Sequence, residues 1–395
     1  MLVDLLLGGL VIGGIYALIS IGLNLQYGVA RVLNLAYGEF LMLAGYAAFF
    51  GFTLIGSPPL LTIFVGAPAA FALSWLLFRF VLHPLLRRTQ DQGKREIDSI
   101  LSTFGLLFLL QGVALVAWTG TDRPYSYLSV PVYLFGSVIT ANRLIVIIAA
   151  LVLSAGTFAF LRYTTAGRAL RAIAAGPHTA PLVGIDVVRY SAFAFALGGA
   201  LAAIAGILLS SFIGINPTVG AAFTVKALIV VVMGGIGHII GGRFPAFLLG
   251  AVETGAGLFI DPGLTTIIAI ELLAAVLLWR PQGLFSPRAS VGSRHSIFAS
   301  RWTIAVLALL LLLAVPLFVG PYWISLGVNI LTFVALATGW AFFSGPTRYV
   351  SLAASAFYGI GAYAVAVLAP DYSSPVSLLA GAGISAVLAA FVGLA

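Results

Sequence analysis

"VDLLLGGLVIGGIYALISIGLNLQ", Val3–Gln26, is the stretch that decides the fold. It is 24 residues long with one charge, Asp4, near its start. A helix needs about 20 predominantly apolar residues to cross the hydrocarbon core of a bilayer. No basic leader and no small-residue cleavage site accompanies it, so it reads as a retained first span rather than a signal peptide.

The rest of the chain repeats that message. Of 395 residues, 62% are hydrophobic and 8% charged, with a mean hydropathy of +1.15. A soluble domain of this size needs far more polar surface. Apolar runs between charge clusters predict helices near 3–26, 33–52, 59–82, 98–118, 143–161, 190–213, 222–237, 244–260 and 264–279, then 302–320, 322–343, 349–369 and 375–395. The expected fold class is therefore all-α, a polytopic transmembrane helical bundle. The 33–52 piece is expected to be broken or re-entrant, because its glycines and polar groups suit backbone that lines a cavity.

The net charge of +8 does not point to nucleic acid, since the basic residues form no contiguous face. They cluster in alternate loops. Of the 19 Lys and Arg, only Arg123, Arg143 and Lys226 fall away from the side that holds loops 83–97, 162–189 and 280–301. The positive-inside rule places that side in the cytoplasm. Zero cysteines exclude disulfides, thiol catalysis and Cys-ligated metals. Only two lysines occur, Lys94 and Lys226, and neither completes G-x-x-x-x-G-K-[ST]. An intramembrane enzyme would need H-E-x-x-H, G-x-S-x-G or a paired-His spacing, and none is present. No catalytic or metal residue is expected.

A weak repeat lays Gly22–Ala47 on Gly339–Ala364, an offset of 317 residues. Gly22, Gly28, Arg31, Leu35, Ala36, Phe40, Tyr46 and Ala47 meet identical residues there, and both copies run the same way across the membrane. Parallel repeats are familiar in transporters. The second copy ends sooner after its arginine, and a fragment is preferred over a degenerate second half.

Two sets of residues are candidates for function. The first is the loop Tyr163–Tyr190, where Arg168 and Arg171 share one face of a short helix, Gly176-Pro177 breaks it, and "HTAPLVGID" follows. Such an element suits docking into a groove on a soluble partner; an interfacial anchor is the competing reading. The second set lies at membrane depth: Asn34, Glu39, Lys226, Glu253 and Glu271. Ionisable groups there cost about 2.5–3.5 kcal/mol on insertion scales and point by default to a pathway or gate. Packing is the alternative for each: hydrogen bonds from neighbouring helices at Glu39, and pairing with each other or Lys226 at Glu253 and Glu271.

"GRALRAIAAGPHTAPLVGID" (Gly167–Asp186) resembles the coupling loop of permeases in branched-chain amino acid ABC importers, and "VLNLAYGEFLMLAGYAAF" (Val32–Phe49) resembles the N-terminal signature of that family's H-type subunit. "VVVMGGIGHIIGG" (Val230–Gly242) resembles its glycine-rich segment, though "GGRFPAF" departs from the expected pattern. From about residue 320 the chain resembles the start of the partner M-type subunit. The resemblance implies an H-type domain over 1–290, a linker and extra helix over 291–320, and an incomplete M-type start over 321–395. It implies a multi-pass protein of the cell inner membrane that works with cytosolic ATPases, a periplasmic binding protein and an M-type permease half. ATP and Mg are expected on the ATPases and no cofactor on this chain. Docking contacts are implied at Gly167, Arg168, Arg171, Ala180, Gly184 and Ile185, with Gly176 and Pro177 setting the angle between the two arms of the loop. A permease for urea or short amides in the same family is the nearest rival; an ion-coupled secondary transporter is the rival from outside it.

Overall fold

A helix that is apolar on every side is stable only when other helices or lipid cover it. Helix α1 (Leu2–Leu25) meets that condition by packing along α10 (Arg243–Phe259), and the two approach through small residues. A Cβ built on Gly250 would lie 2.4 Å from the Gly13 nitrogen, so any side chain there would force the helices apart.

The computed structural model describes residues 2–88, 92–134, 136–177, 179–235, 242–259, positions 265, 268–269, 271–273 and 276, residue 336, and residues 354–368 and 374–394. The chain divides into two compact units, Met1–Arg288 and Ala289–Ala395.

In the first unit α1 is followed by α2 (Tyr37–Ile55), α3 (Pro59–Leu77), the short α4 (His83–Arg88), α5 (Gln92–Trp118), a β-hairpin, α6 (Ala141–Tyr163), α7 (Thr165–Ala175), α8 (Val187–Ser210), α9 (Val219–Gly234) and α10. Six of the described helices are long and apolar enough to cross a membrane, and the protein is a multi-pass membrane protein. Helix α8 lies at the centre, packed by α1, α2 and α3 and buried along nearly its whole length. Its run of Gly198, Gly199, Ala200, Ala202, Ala203, Ala205 and Gly206 permits this, because small side chains let three neighbours come close. Helices α3 and α5 turn most of their surface outward.

The hairpin pairs β1 (Pro131–Leu134) with β2 (Ser137–Thr140) in antiparallel register, Pro131 opposite Thr140. It was not foreseen in the sequence. It sits at the end of the bundle opposite loop 163–190, where Arg123 and Ile215 pair main chain to main chain (2.9 Å) and Asn216 donates to Asp122 (2.7 Å). Tyr125, hydrogen-bonded to Ser210 at 2.8 Å, has its hydroxyl pKa pushed up by burial.

The expected break around 33–52 is displaced. Residues 37–55 are a continuous helix, and the irregular backbone lies upstream: a π-helical turn over Gln26–Ala30, Arg31 in the left-handed region (φ 53°), and a non-helical run to Ala36. The reason is hydrogen bonding. Once helix geometry is lost at membrane depth, backbone groups need partners inside the protein, and those partners are gathered around 26–36. Helix α9 begins at Val219, three residues before the expected 222.

In the second unit two helices are described, Ala354–Leu368 and Ser374–Leu394, and Ser385 donates to the Phe357 carbonyl between them (2.6 Å). The expected helices 302–320 and 322–343 (apart from position 336), the linker 291–320, most of 264–279 and the stretch 236–241 lie outside the described residues.

Candidate functional site

Loop 163–190 is built as an elbow with a buried underside. Thr164 caps α7 by accepting the Gly167 N–H (2.9 Å), and Asp186 caps α8 by accepting the Arg189 N–H (3.1 Å). Such caps accept from orphan N–H donors at a helix start and stabilise by about 1 kcal/mol. Leu170, Ile173 and Ala180 pack with Leu25, Val29, Leu161 and Ala194. Gly167 lies against the last turn of α6, where an added Cβ would be 2.3 Å from the Phe160 carbonyl oxygen. Gly176 caps α7 in extended backbone, and its carbonyl accepts the Ala180 N–H (3.0 Å). A 3-10 turn, Ala180–Val183, then ends on Gly184 in the left-handed region (φ 79°), which favours glycine.

The outer face of that elbow carries its exposed side chains. Arg168, Arg171 and Gly184 are exposed; Pro177 and Ile185 are half-buried; Gly167 and Ala180 lie underneath and support the others. Leu182 and Val183 project into the open with 84% and 74% exposure. The loop thus exposes two large aliphatic side chains and two arginines.

The elbow is tied to the irregular backbone of residues 26–36. Arg31 reaches the α7 C-terminus and donates to the Ala174 carbonyl (3.3 Å), while its guanidinium lies 6.0 Å from the Tyr27 ring. Below it, Gln26 donates to the Phe195 carbonyl of α8 (2.8 Å) and accepts from Asn34 (3.0 Å), whose own carbonyl oxygen takes the Ala36 N–H (3.1 Å). From α5, Thr103 Oγ1 accepts the Leu35 N–H (3.2 Å) and sits 3.1 Å from the Leu33 carbonyl oxygen. Asn34 is thus fully buried and holds the break together.

Glu39 follows in the first turn of α2, fully buried, and neither carboxylate oxygen has a hydrogen-bond partner among the described residues. It lies against Gly220 in the first turn of α9, so two helix N-termini, each carrying partial positive charge, face the same carboxyl group. One residue earlier, the Gly38 N–H donates to Thr224 Oγ1 (2.8 Å).

Lys226 and Glu253 form an ion pair (3.0 Å) between α9 and α10. Tyr16 of α1 joins them: its hydroxyl donates to Glu253 and accepts from Lys226 (2.8 Å). Glu271 is helical and exposed, and it is Glu253 that takes Lys226. Glu39 sits on α2, Lys226 on α9 and Glu253 on α10, and Asn34 lies in the break between α1 and α2, while Glu271 is not part of the Lys226–Glu253–Tyr16 cluster. Among the described residues no three His, Cys, Asp or Glu side chains converge as a metal site requires.

Residues 5–315 match a family described as "Branched-chain amino acid transport system / permease component". The chain belongs to that family. The permease is 32% identical over 290 residues to the high-affinity branched-chain amino acid transport system permease protein BraD of Pseudomonas aeruginosa, covering 71% of this chain and 94% of the relative. It is 31% identical to LivH of Escherichia coli K12, over 70% of this chain and 92% of LivH. A probable LivH of Methanocaldococcus jannaschii is 26% identical over 70% and 90% of the two chains. No solved structure matches the permease.

Several of these residues escaped the reading of the sequence. Leu182 and Val183 look like ordinary apolar loop residues until the buried Ala180 and the left-handed Gly184 turn them outward. Gln26, Thr103 and Tyr16 carry no local motif; their roles come from partners 8 to 237 positions away.

Proposed function

We propose that this chain is an H-type permease subunit of an ATP-binding cassette importer. Its cargo is branched-chain amino acids delivered by a periplasmic binding protein and passed through the inner membrane to the cytoplasm. Loop 163–190 is the cytoplasmic coupling elbow. Separate ATPase subunits grip it, bind ATP and Mg, and hydrolyse the nucleotide; this chain binds no cofactor of its own. The observation that carries the reading is the outer face of the elbow, where Arg168, Arg171, Leu182 and Val183 stand exposed on a scaffold that α6, α7 and α8 hold from beneath.

Residues from about 321 onward are proposed to begin an M-type permease domain. Support comes from the offset of 317 residues that brings Arg31 onto Arg348, and from the two helices described at Ala354–Leu368 and Ser374–Leu394. The names of the relatives support branched-chain amino acids over urea or short amides as cargo.

The test is transport. With the ATPases and binding protein reconstituted in proteoliposomes, Arg168→Glu with Arg171→Glu is expected to abolish ATP-driven leucine uptake and co-purification of the ATPases. Wild-type uptake by that variant would remove the docking assignment. Uptake that survives ATP depletion and collapses with the proton gradient would replace the importer with an ion-coupled carrier.

A further inference from the structure

A buried ion pair in a membrane protein rarely stabilises more than apolar residues of similar size, because both ions lose their hydration. The Lys226–Glu253–Tyr16 cluster carries that cost and leaves one more debt. Glu253 Oε2 takes both donors, while Glu253 Oε1 is buried and has no hydrogen-bond partner among the described residues. A desolvated carboxylate oxygen with no donor costs about 1–3 kcal/mol or more. The side chain of Glu253 is 7% exposed and that of Lys226 is 16% exposed. On α9, Val225 and Ala222 are exposed next to Lys226 while Tyr16 and Phe223 are buried, so the Lys226 end is the more open side of the pair.

Its surroundings have two characters. The Lys226 ammonium lies 5.4 Å from the Tyr16 ring and 5.6 Å from the Phe223 ring, and those two rings are 6.0 Å apart. Aromatic faces suit a cation and an apolar side chain equally. Glu253 and Lys226 supply one negative and one positive group side by side.

We propose that this cluster is a transient binding site for the zwitterionic head group of an amino acid, with the α-carboxylate on Lys226, the α-ammonium on Glu253 and the aliphatic side chain against Phe223 and Tyr16. The ligand splits the ion pair and replaces each partner with a group of the same sign. No net charge enters the membrane, and the vacant Oε1 gains a donor. A neutral amide cannot make that exchange, because it carries no ion to compensate either separated partner. The same exchange works in reverse when the ligand leaves and the pair closes, so binding need not trap the cargo. This site rests on the reading of the chain as an amino acid permease.

The experiment uses the full chain assembled with its ATPases and binding protein in proteoliposomes, with a diazirine-bearing leucine as the photoreactive probe and radiolabelled leucine for uptake. Illumination during turnover is expected to label Tyr16, Phe223 or neighbouring residues of α9. Glu253→Gln and Lys226→Gln are each expected to reduce labelling and uptake by roughly tenfold or more, the loss of one charge-assisted contact. The double variant Lys226→Met with Glu253→Met removes both ions together and leaves no unpaired buried charge. It is expected to co-purify with the ATPases without labelling at the cluster. Wild-type labelling or uptake in the double variant would show that the pair is only structural and overturn the site. Import of leucine by the wild-type complex with labelling confined to other helices would overturn the site and leave the importer reading standing. A wild-type complex that imports acetamide and no leucine would overturn the importer's assigned cargo instead.

Discussion

The guanidinium of Arg31 donates to the main-chain carbonyl of Ala174, 3.3 Å away, and so joins the break after α1 to the last turn of the elbow helix α7. The Ala174 carbonyl is one of the four at a helix C-terminus that lack an intrahelical partner, and a cation there also meets the negative end of the helix dipole. Arg31 holds this position in left-handed backbone, φ 53°, an uncommon state for a residue with a side chain. Six residues beyond Arg31 the chain enters α2, and Glu39 sits in its first turn. If an ATPase grips the elbow, as proposed, Arg31 gives a short mechanical path from α7 to the start of α2.

Arg31→Ala is expected to uncouple rather than unfold. The contact is partly exposed and stabilises by about 0.3–1 kcal/mol, too little to melt the bundle. ATP hydrolysed per leucine imported should rise several-fold, measured by phosphate release and uptake on the same vesicles. An unchanged ratio would show that the elbow signals by another route.

Gly38 and Gly220 set the separation of α2 and α9. A Cβ on Gly38 would lie 1.9 Å from the Gly220 carbonyl oxygen, a clash with backbone that cannot rotate away. Gly38→Ala is expected to destabilise by about 1–3 kcal/mol or more, read as a lower melting temperature in detergent. Gly156→Ala is the control: in α6 its Cβ meets nothing within 4 Å among the described residues. Removing a helix-interior glycine there should stabilise by about 0.5–1 kcal/mol.

What the sequence reveals and what it hides divide along sequence distance. The spans are legible because each is one uninterrupted apolar run, and the elbow is legible because Thr164, Gly176 and Asp186 punctuate it locally. The ion pair was only half legible. Glu253 and Glu271 looked alike as partners for Lys226, and the packing of α10 on α1 and α9 chooses Glu253. The break moved upstream because the groups that satisfy it, Thr103 on α5 and the Phe195 carbonyl on α8, are far away in the chain. The β-hairpin has four-residue strands with no two-residue turn signature strong enough to mark it.

Glu39→Gln separates stability from function. A fully buried carboxylate whose two oxygens have no partner among the described residues opposes folding, and its neutral isostere removes the charge at constant volume. The melting temperature is expected to rise while ATP-driven uptake falls several-fold, the pattern of a group kept for the transport cycle and not for packing. A lower melting temperature would mean that the carboxylate holds the helices together.

Leu182 and Val183 provide the last test, because their exposure makes the elbow's apolar tip separable from its scaffold. Leu182→Asp and Val183→Asp place a charge where the side chain touches little of this chain, so the isolated permease should melt within about 0.5 kcal/mol of wild type. The same charge in a docking groove would be desolvated opposite apolar groups. A buried, centrally placed apolar anchor costs about 2 kcal/mol or more when lost, a drop of roughly thirtyfold in affinity for the ATPase. Titrating purified ATPase onto permease in nanodiscs reads that drop directly. Unchanged affinity in both variants would place the grip on Arg168 and Arg171 alone.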